Sequence, residues 1–186
     1  MYSIRTHSRG GQGGKTAAKM LAHAFFTEGE YVQAFSIYGS ERRGAPVASF
    51  IRVDKKKILE RGYISDPECI VIMDDSLLKA EQELSLLTGL DSKEHLIINT
   101  KQDIPVPKKG VKLTLIDASS IAKKELGIDV VNTVMLGAFA AATGKVRIDS
   151  VEKAIHDSLY DRHPEWVAPN IKAMRAGYYA VKEGRQ

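Results

Sequence analysis

Four glycines fall within five residues in Ser8–Thr16, "SRGGQGGKT", directly after a run that reads as a strand. The backbone N–H groups of such a loop, opening onto a helix N-terminus, suit an anion, because the free N–H groups and the helix dipole both attract negative charge. Two familiar anion-binding spellings almost fit. A phosphate loop needs Gly, four residues, then Gly-Lys-Ser/Thr; Gly14, Lys15 and Thr16 satisfy its end, but Arg9 stands where the first glycine belongs. The dinucleotide fingerprint needs a third glycine for close helix–strand packing, and Thr16 occupies that place after Gly11 and Gly13. The apolar run "CIVIM" followed by Asp74 and Asp75 imitates the acidic strand end that holds Mg²⁺ in nucleotide hydrolases. A deviant P-loop ATPase using Lys15, Thr16 and Asp74 is therefore the alternative reading. The plainer role for two aspartates ahead of "SLL" is a strand-end turn or a helix N-cap.

A second stretch, "GSERRGAP", sets Glu41, Arg42 and Arg43 between Gly39 and Gly44. Adjacent guanidiniums beside a carboxylate offer bidentate anion recognition or a fixed ion-pair network. In an α/β sheet this loop would follow the second strand and share a carboxyl edge with the Gly-rich loop, so that Arg9, Arg42 and Arg43 draw an anion into one cleft. Independent catalysis has little support. There is no G-x-S-x-G elbow and no pair of acids in a glycosidase setting. The single cysteine, Cys69, lies inside "CIVIM" and reads as a small buried hydrophobe. One cysteine permits neither an internal disulfide nor a four-cysteine cluster held by this chain alone. The histidines show no metal-ligand spacing; His156 and His163 would meet only if neighbouring helical segments brought them together.

The elements that must position these loops are legible from periodicity. Among 186 residues, 44% are hydrophobic and 27% charged, the balance of a globular protein with a real core. The net charge of +4 is scattered, which argues against a nucleic-acid stripe. No secretory pattern follows Met1, and the apolar region Val130 to Ala142 is too short to span a bilayer, so a cytoplasmic chain with no membrane contact is expected. Tyr2 to His7, "YVQAFSI", "ASFIRV", "CIVIM", "HLIIN" and "KLTLI" read as strands, with the alternation of "ASFIRV" suggesting a strand half exposed or at an edge. Helical spacing appears after the Gly-rich loop (Ala17, Met20, Leu21, Ala24, Phe25), over roughly Leu77 to Leu87, and then at Ser119 to Leu126, Val130 to Thr143, Ser150 to Leu159 and Pro164 to Lys182. The small residues of "MLGAFAAATG" imply a helix packed tightly against the sheet or another subunit. The pattern is α/β: a Rossmann-like sheet with helices on both faces and a helical C-terminal region, one domain over 1–186 with a sheet core of about 1–117 and helices over about 118–186.

At these residues the sequence resembles the gamma subunit of the 2-oxoacid:ferredoxin (or other acceptor) oxidoreductases. The resemblance rests on "RGGQG" (Arg9 to Gly13), "GSERRGAPV" (Gly39 to Val47) with the following "SFIRV", "IVIMDDSLL" (Ile70 to Leu78), "LIINT" (Leu96 to Thr100) and "GIDVVNTVMLGAFAAATG" (Gly127 to Gly144). It implies a subunit, inactive alone, of a complex that oxidatively decarboxylates a 2-oxoacid such as pyruvate or an aryl glyoxylate to acyl-CoA. By the same resemblance, thiamine diphosphate, Mg²⁺ and [4Fe–4S] clusters belong to alpha, beta and ferredoxin-like delta-type sister subunits. Ferredoxin or another acceptor takes the electrons. Arg9, Gly10, Gly11, Gln12 and Gly13 are implied as a coenzyme A or active-centre loop, and Gly39, Glu41, Arg42, Arg43 and Gly44 as an interface or anion-binding loop. No catalytic residue and no metal site is implied for this chain.

Overall fold

A computed structural model of the chain describes residues 1–38, 44–79 and 86–184. Six strands form one mixed sheet: β1 (Tyr2–Arg9), β2 (Tyr31–Tyr38), β3 (Pro46–Asp54), β4 (Cys69–Ile72), β5 (His95–Asn99) and β6 (Lys112–Ile116), in the order β2-β3-β1-β4-β5-β6. β1, β4, β5 and β6 run parallel, while β3 lies antiparallel to both β1 and β2. "ASFIRV" is therefore an interior strand and β2 is the edge. Polar residues in β3 mimic an exposed strand, yet Ser49 and Arg52 are buried. The Ser49 hydroxyl pairs with that of Ser36 at 2.8 Å, and the Arg52 guanidinium donates to Gln33 Oε1 (3.0 Å) and the Tyr63 carbonyl (3.1 Å). These bonds offset the cost of burying the polar groups.

Among the described residues five α-helices, α1 (Gly14–Thr27), α2 (Ala118–Leu126), α3 (Asn132–Thr143), α4 (Ile148–Leu159) and α5 (Val167–Glu183), share one core with one face of the sheet. α1 turns Ala17, Met20, Leu21, Ala24 and Phe25 inward and stops where Gly29 takes φ +85°. α2 starts on the Asp117 side chain, which accepts from the Ser120 N–H, and ends at a left-handed Gly127. α3 is buried almost all round, so its small residues serve this chain's own core. The α3–α5 crossing is close because both helices carry glycine there. A Cβ on Gly137 would stand 1.9 Å from the Met174 carbonyl oxygen, and one on Gly177 would stand 2.3 Å from that of Val134.

The opposite face is covered differently. Ile70, Ile72, Leu96 and Ile98 pack under Leu90, Val111 and residues of the loops, together with Leu78 from a short 3₁₀ helix, Asp75–Lys79. Of the helix expected over roughly Leu77 to Leu87, the described residues show this 3₁₀ turn and helical backbone at Leu86; residues 80–85 lie outside them. Farther along the same face, Arg5 of β1 is 6% exposed and donates to the carbonyls of Ile64, Ser65, Leu86 and Thr88. Its Nε donates to His7 Nε2 at 3.2 Å.

Candidate functional site: the carboxyl edge of β1 and β4

β1 and β4 are parallel neighbours whose connections leave to opposite sides, the point at which an α/β sheet opens a crevice at its carboxyl edge. The Gly-rich loop sits over that point. Gly11 (φ +99°) and Gly13 (φ +77°) take backbone conformations that side chains disfavour. Gly13 is constrained twice, because a Cβ there would also stand 2.6 Å from Asn132 Nδ2. α1 begins at Gly13 with no side-chain cap and no acidic residue in its first turn. Its N-terminal field is thus left for an anion.

The loop is stitched to both neighbours. The Gly10 N–H donates to the Ala45 carbonyl (2.9 Å) and Arg9 Nη1 to that of Gly44 (3.1 Å), on the β3 side. On the β4 side, Arg9 Nε donates to Ser76 Oγ (3.0 Å) and lies 3.4 Å from Asp74 Oδ2. Gln12 bridges inside the loop: its Oε1 accepts from the Arg9 N–H (2.8 Å) and its Nε2 donates to Asp74 Oδ2 (2.7 Å). Asp74 Oδ1 accepts from the Ser76 N–H (3.0 Å) and hydroxyl (2.5 Å), an N-cap arrangement at the 3₁₀ turn. Burial works against its ionisation, but the hydrogen bonds from Ser76 and Gln12 and the Arg9 charge prevail and hold the carboxyl below its ordinary value.

These contacts decide between the two readings of the loop. Asp74 is committed to Gln12, Arg9 and Ser76, whereas a Mg²⁺-holding acid keeps its oxygens for the metal shell. Lys15 is exposed, with its Nζ 5.7 Å from the centre of the Tyr38 ring, and Thr16 is exposed beside it. The deviant P-loop has no geometric support. His156 and His163 stack on Tyr160 and Trp166 respectively. Among the described residues no three His, Cys, Asp or Glu side chains are grouped as metal ligands, and Cys69 is fully buried.

A cleft of about 270 Å³ lies beside the loop, lined by Gln12, Asp74, Asp75, Asn99, Ser119 and Asp129 among others. Asn99 organises its floor and escaped the sequence reading. Its Nδ2 donates to the Met73 carbonyl (3.0 Å) and Ser119 Oγ (3.2 Å), while its Oδ1 accepts from the Ala118 and Ser119 N–H groups. One polar residue ending the apolar run "HLIIN" was the available signal. Thr100 next to it donates to Asp75 Oδ2 at 2.7 Å. Of the second loop, Gly44 lies against Arg9; Gly39, Glu41, Arg42 and Arg43 lie outside the described residues. The pairing of Tyr38 with Val47, and of Arg9 with Pro46, brings the ends of that loop to the same sheet edge as the Gly-rich loop.

Comparison with known proteins agrees along the whole chain. The family profile for pyruvate ferredoxin/flavodoxin oxidoreductase matches residues 3–180. The pyruvate/ketoisovalerate oxidoreductases common subunit gamma of Pyrococcus furiosus is 44% identical over 183 residues, covering 96% of each chain. Pyruvate synthase subunit PorC of Methanocaldococcus jannaschii is 44% identical over 179 residues, with 96% of each chain covered. The crystal structure of the Thermotoga maritima pyruvate oxidoreductase subunit PORC superposes with a TM-score of 0.81 at 35% identity, covering 96% of this chain and 95% of that one. With its sheet, its stitched Gly-rich loop and these end-to-end matches, the chain belongs to the pyruvate ferredoxin/flavodoxin oxidoreductase family and aligns with its gamma, or PorC, subunits.

Proposed function

We propose that the chain acts as the single-domain gamma subunit of a cytoplasmic complex that oxidatively decarboxylates a 2-oxoacid to acyl-CoA and passes electrons to ferredoxin or another acceptor. The observation that carries this is the match from residue 3 to residue 180, with near-complete coverage of the gamma relatives in both directions. The Pyrococcus relative is named as common to pyruvate and ketoisovalerate oxidoreductases. That supports placing the choice of 2-oxoacid on other chains. The residues here fit neither an iron–sulfur cluster nor a thiamine diphosphate–metal centre, since the one cysteine is buried and no ligand set converges among the described residues. Those groups are assigned to alpha, beta and ferredoxin-like delta-type sister subunits.

Coenzyme A suits the Gly-rich loop better. Bound, it supplies the thiol that takes the acyl group and several phosphate charges. The open space at Gly11 and the uncapped start of α1 favour a phosphate beside Gly10, Gly11, Gln12 and Gly13. Arg9 contributes by position, since its guanidinium is engaged by Gly44, Ser76 and Asp74 and so holds the loop's shape. Glu41, Arg42 and Arg43 are proposed to extend that surface toward the anion or a sister subunit. The test is anaerobic purification of the complex from its host through a tag on this chain, followed by steady-state kinetics. A brown, thiamine-containing complex is expected, and Arg42→Ala should raise the KM for coenzyme A or weaken assembly. A colourless chain alone, or wild-type assembly and kinetics in the variant, would overturn the respective assignment.

A further inference from the structure

β6 is an outer strand of the sheet, with one edge free of a neighbouring strand. The Lys112 N–H donates to the Glu94 carbonyl (2.8 Å), and the Thr100 N–H donates to that of Ile116 (2.9 Å). Along a paired strand, peptide groups alternate between facing the partner and facing away. Lys112, Thr114 and Ile116 therefore face β5, and Leu113 and Leu115 turn their N–H and C=O groups outward, where no partner is found among the described residues. Natural edges are blunted by proline, bulges or inward charges. β6 carries no proline and pairs with β5 without a bulge; its Leu113, Thr114 and Leu115 are half-exposed, and the exposed Lys112 is its one edge charge.

The last turns of α5 run beside this edge. Together they enclose a groove of about 350 Å³ lined by Lys112, Leu113, Thr114, Leu115, Ala180, Val181 and Gly184. Ala180 and Gly184 have almost no side chain, so the wall stands back from the strand. A strand edge beside a helix is the arrangement that accepts an added strand, with main-chain hydrogen bonds supplying affinity and alternate side chains supplying selectivity. The electrostatics name the occupant. Among the described residues Lys112 is the one charged residue lining the groove, and no acid lines it.

We propose that β6 and α5 form a docking groove for an extended, acid-bearing segment of a sister subunit, which joins the sheet as a seventh strand. This rests on the multisubunit reading above. Residue-resolved amide exchange on the full chain tests it, using as probe a blocked peptide of alternating valine and threonine flanked by aspartate and glutamate, with a lysine-flanked analogue as control. The acidic peptide should slow exchange at Leu113 and Leu115 by about tenfold or more, the scale of one main-chain hydrogen bond, and the lysine analogue should not. Lys112→Glu, at an exposed position, should reverse that preference. Leu113→Pro removes an outward N–H and should abolish protection, with circular dichroism confirming that the fold survives. Equal response to both peptides, protection on β2 instead, or peptide-independent protection that grows with chain concentration and so marks a second copy, would overturn the proposal. In the purified complex both amides should also be slow. A complex that assembles with them exchanging as in the free chain defeats the groove and leaves the subunit assignment standing; if no complex forms, that assignment falls and the peptide result alone decides the groove.

Discussion

The two faces of the sheet solve burial in opposite ways. Under α1 to α5 the contacts are apolar and close enough for backbone to meet backbone at Gly137 and Gly177. Across the sheet, Arg5, His7 and Arg52 are buried, and hydrogen bonds to main-chain carbonyls tie down loops that also bury Ile64, Leu86 and Leu90. The helical face should therefore be sensitive to volume, and the other face to the loss of a donor or the gain of a proton.

The largest effect is expected from Gly137→Ala, because its Cβ would meet a carbonyl oxygen that cannot swing aside. Denaturant unfolding should show a loss of about 3 kcal/mol or more. Arg5→Met keeps most of the volume and strands four carbonyls; a loss of about 2 to 3 kcal/mol is expected, with amide exchange accelerated around residues 64–65 and 86–88. Uniform acceleration over the whole chain would erase the contrast drawn here.

His7 gives the next effect. Burial, followed by the Arg5 charge, pushes its pKa from 6.5 down to about 4. Between those values the unfolded chain binds the proton and the folded chain does not, so this contribution is fully present above pH 6.5 and is lost as pH falls toward 4. Geometry agrees, since His7 Nε2 accepts from Arg5 Nε and cannot do so when protonated. Stability measured across that window should fall by about 2 kcal/mol, and His7→Leu should flatten the slope. Lys15→Ala should be the smallest change, within about 0.5 kcal/mol of wild type. A nucleotide-dependent shift in melting that disappears in that variant would reopen the ATPase reading.

Much of the carboxyl edge was legible because glycine announces backbone geometry: Gly11 and Gly13 do take positive φ, and Asp74 does cap the turn after β4. β3 was misplaced because a sequence shows polarity but not its satisfaction. Arg52 reads as a solvent contact until Gln33 and the Tyr63 carbonyl are seen around it. Asn99 was missed for the same reason, its four partner groups coming from two distant segments of the chain, Met73 and Ala118–Ser119.

The placement of β3 also bears on the order in which the chain can assemble. β1 and β2 are parallel but separated by two strand spacings, roughly 10 Å, and β3 alone fills the gap with hydrogen bonds to both. On a ribosome, neither of the first two strands has its final neighbour until residue 54 has emerged, although α1 can already form between them. The early chain thus carries two unsatisfied ladders at once, a window in which mispairing competes with insertion. Chaperone dependence of nascent chains halted before and after β3 would expose that interval directly.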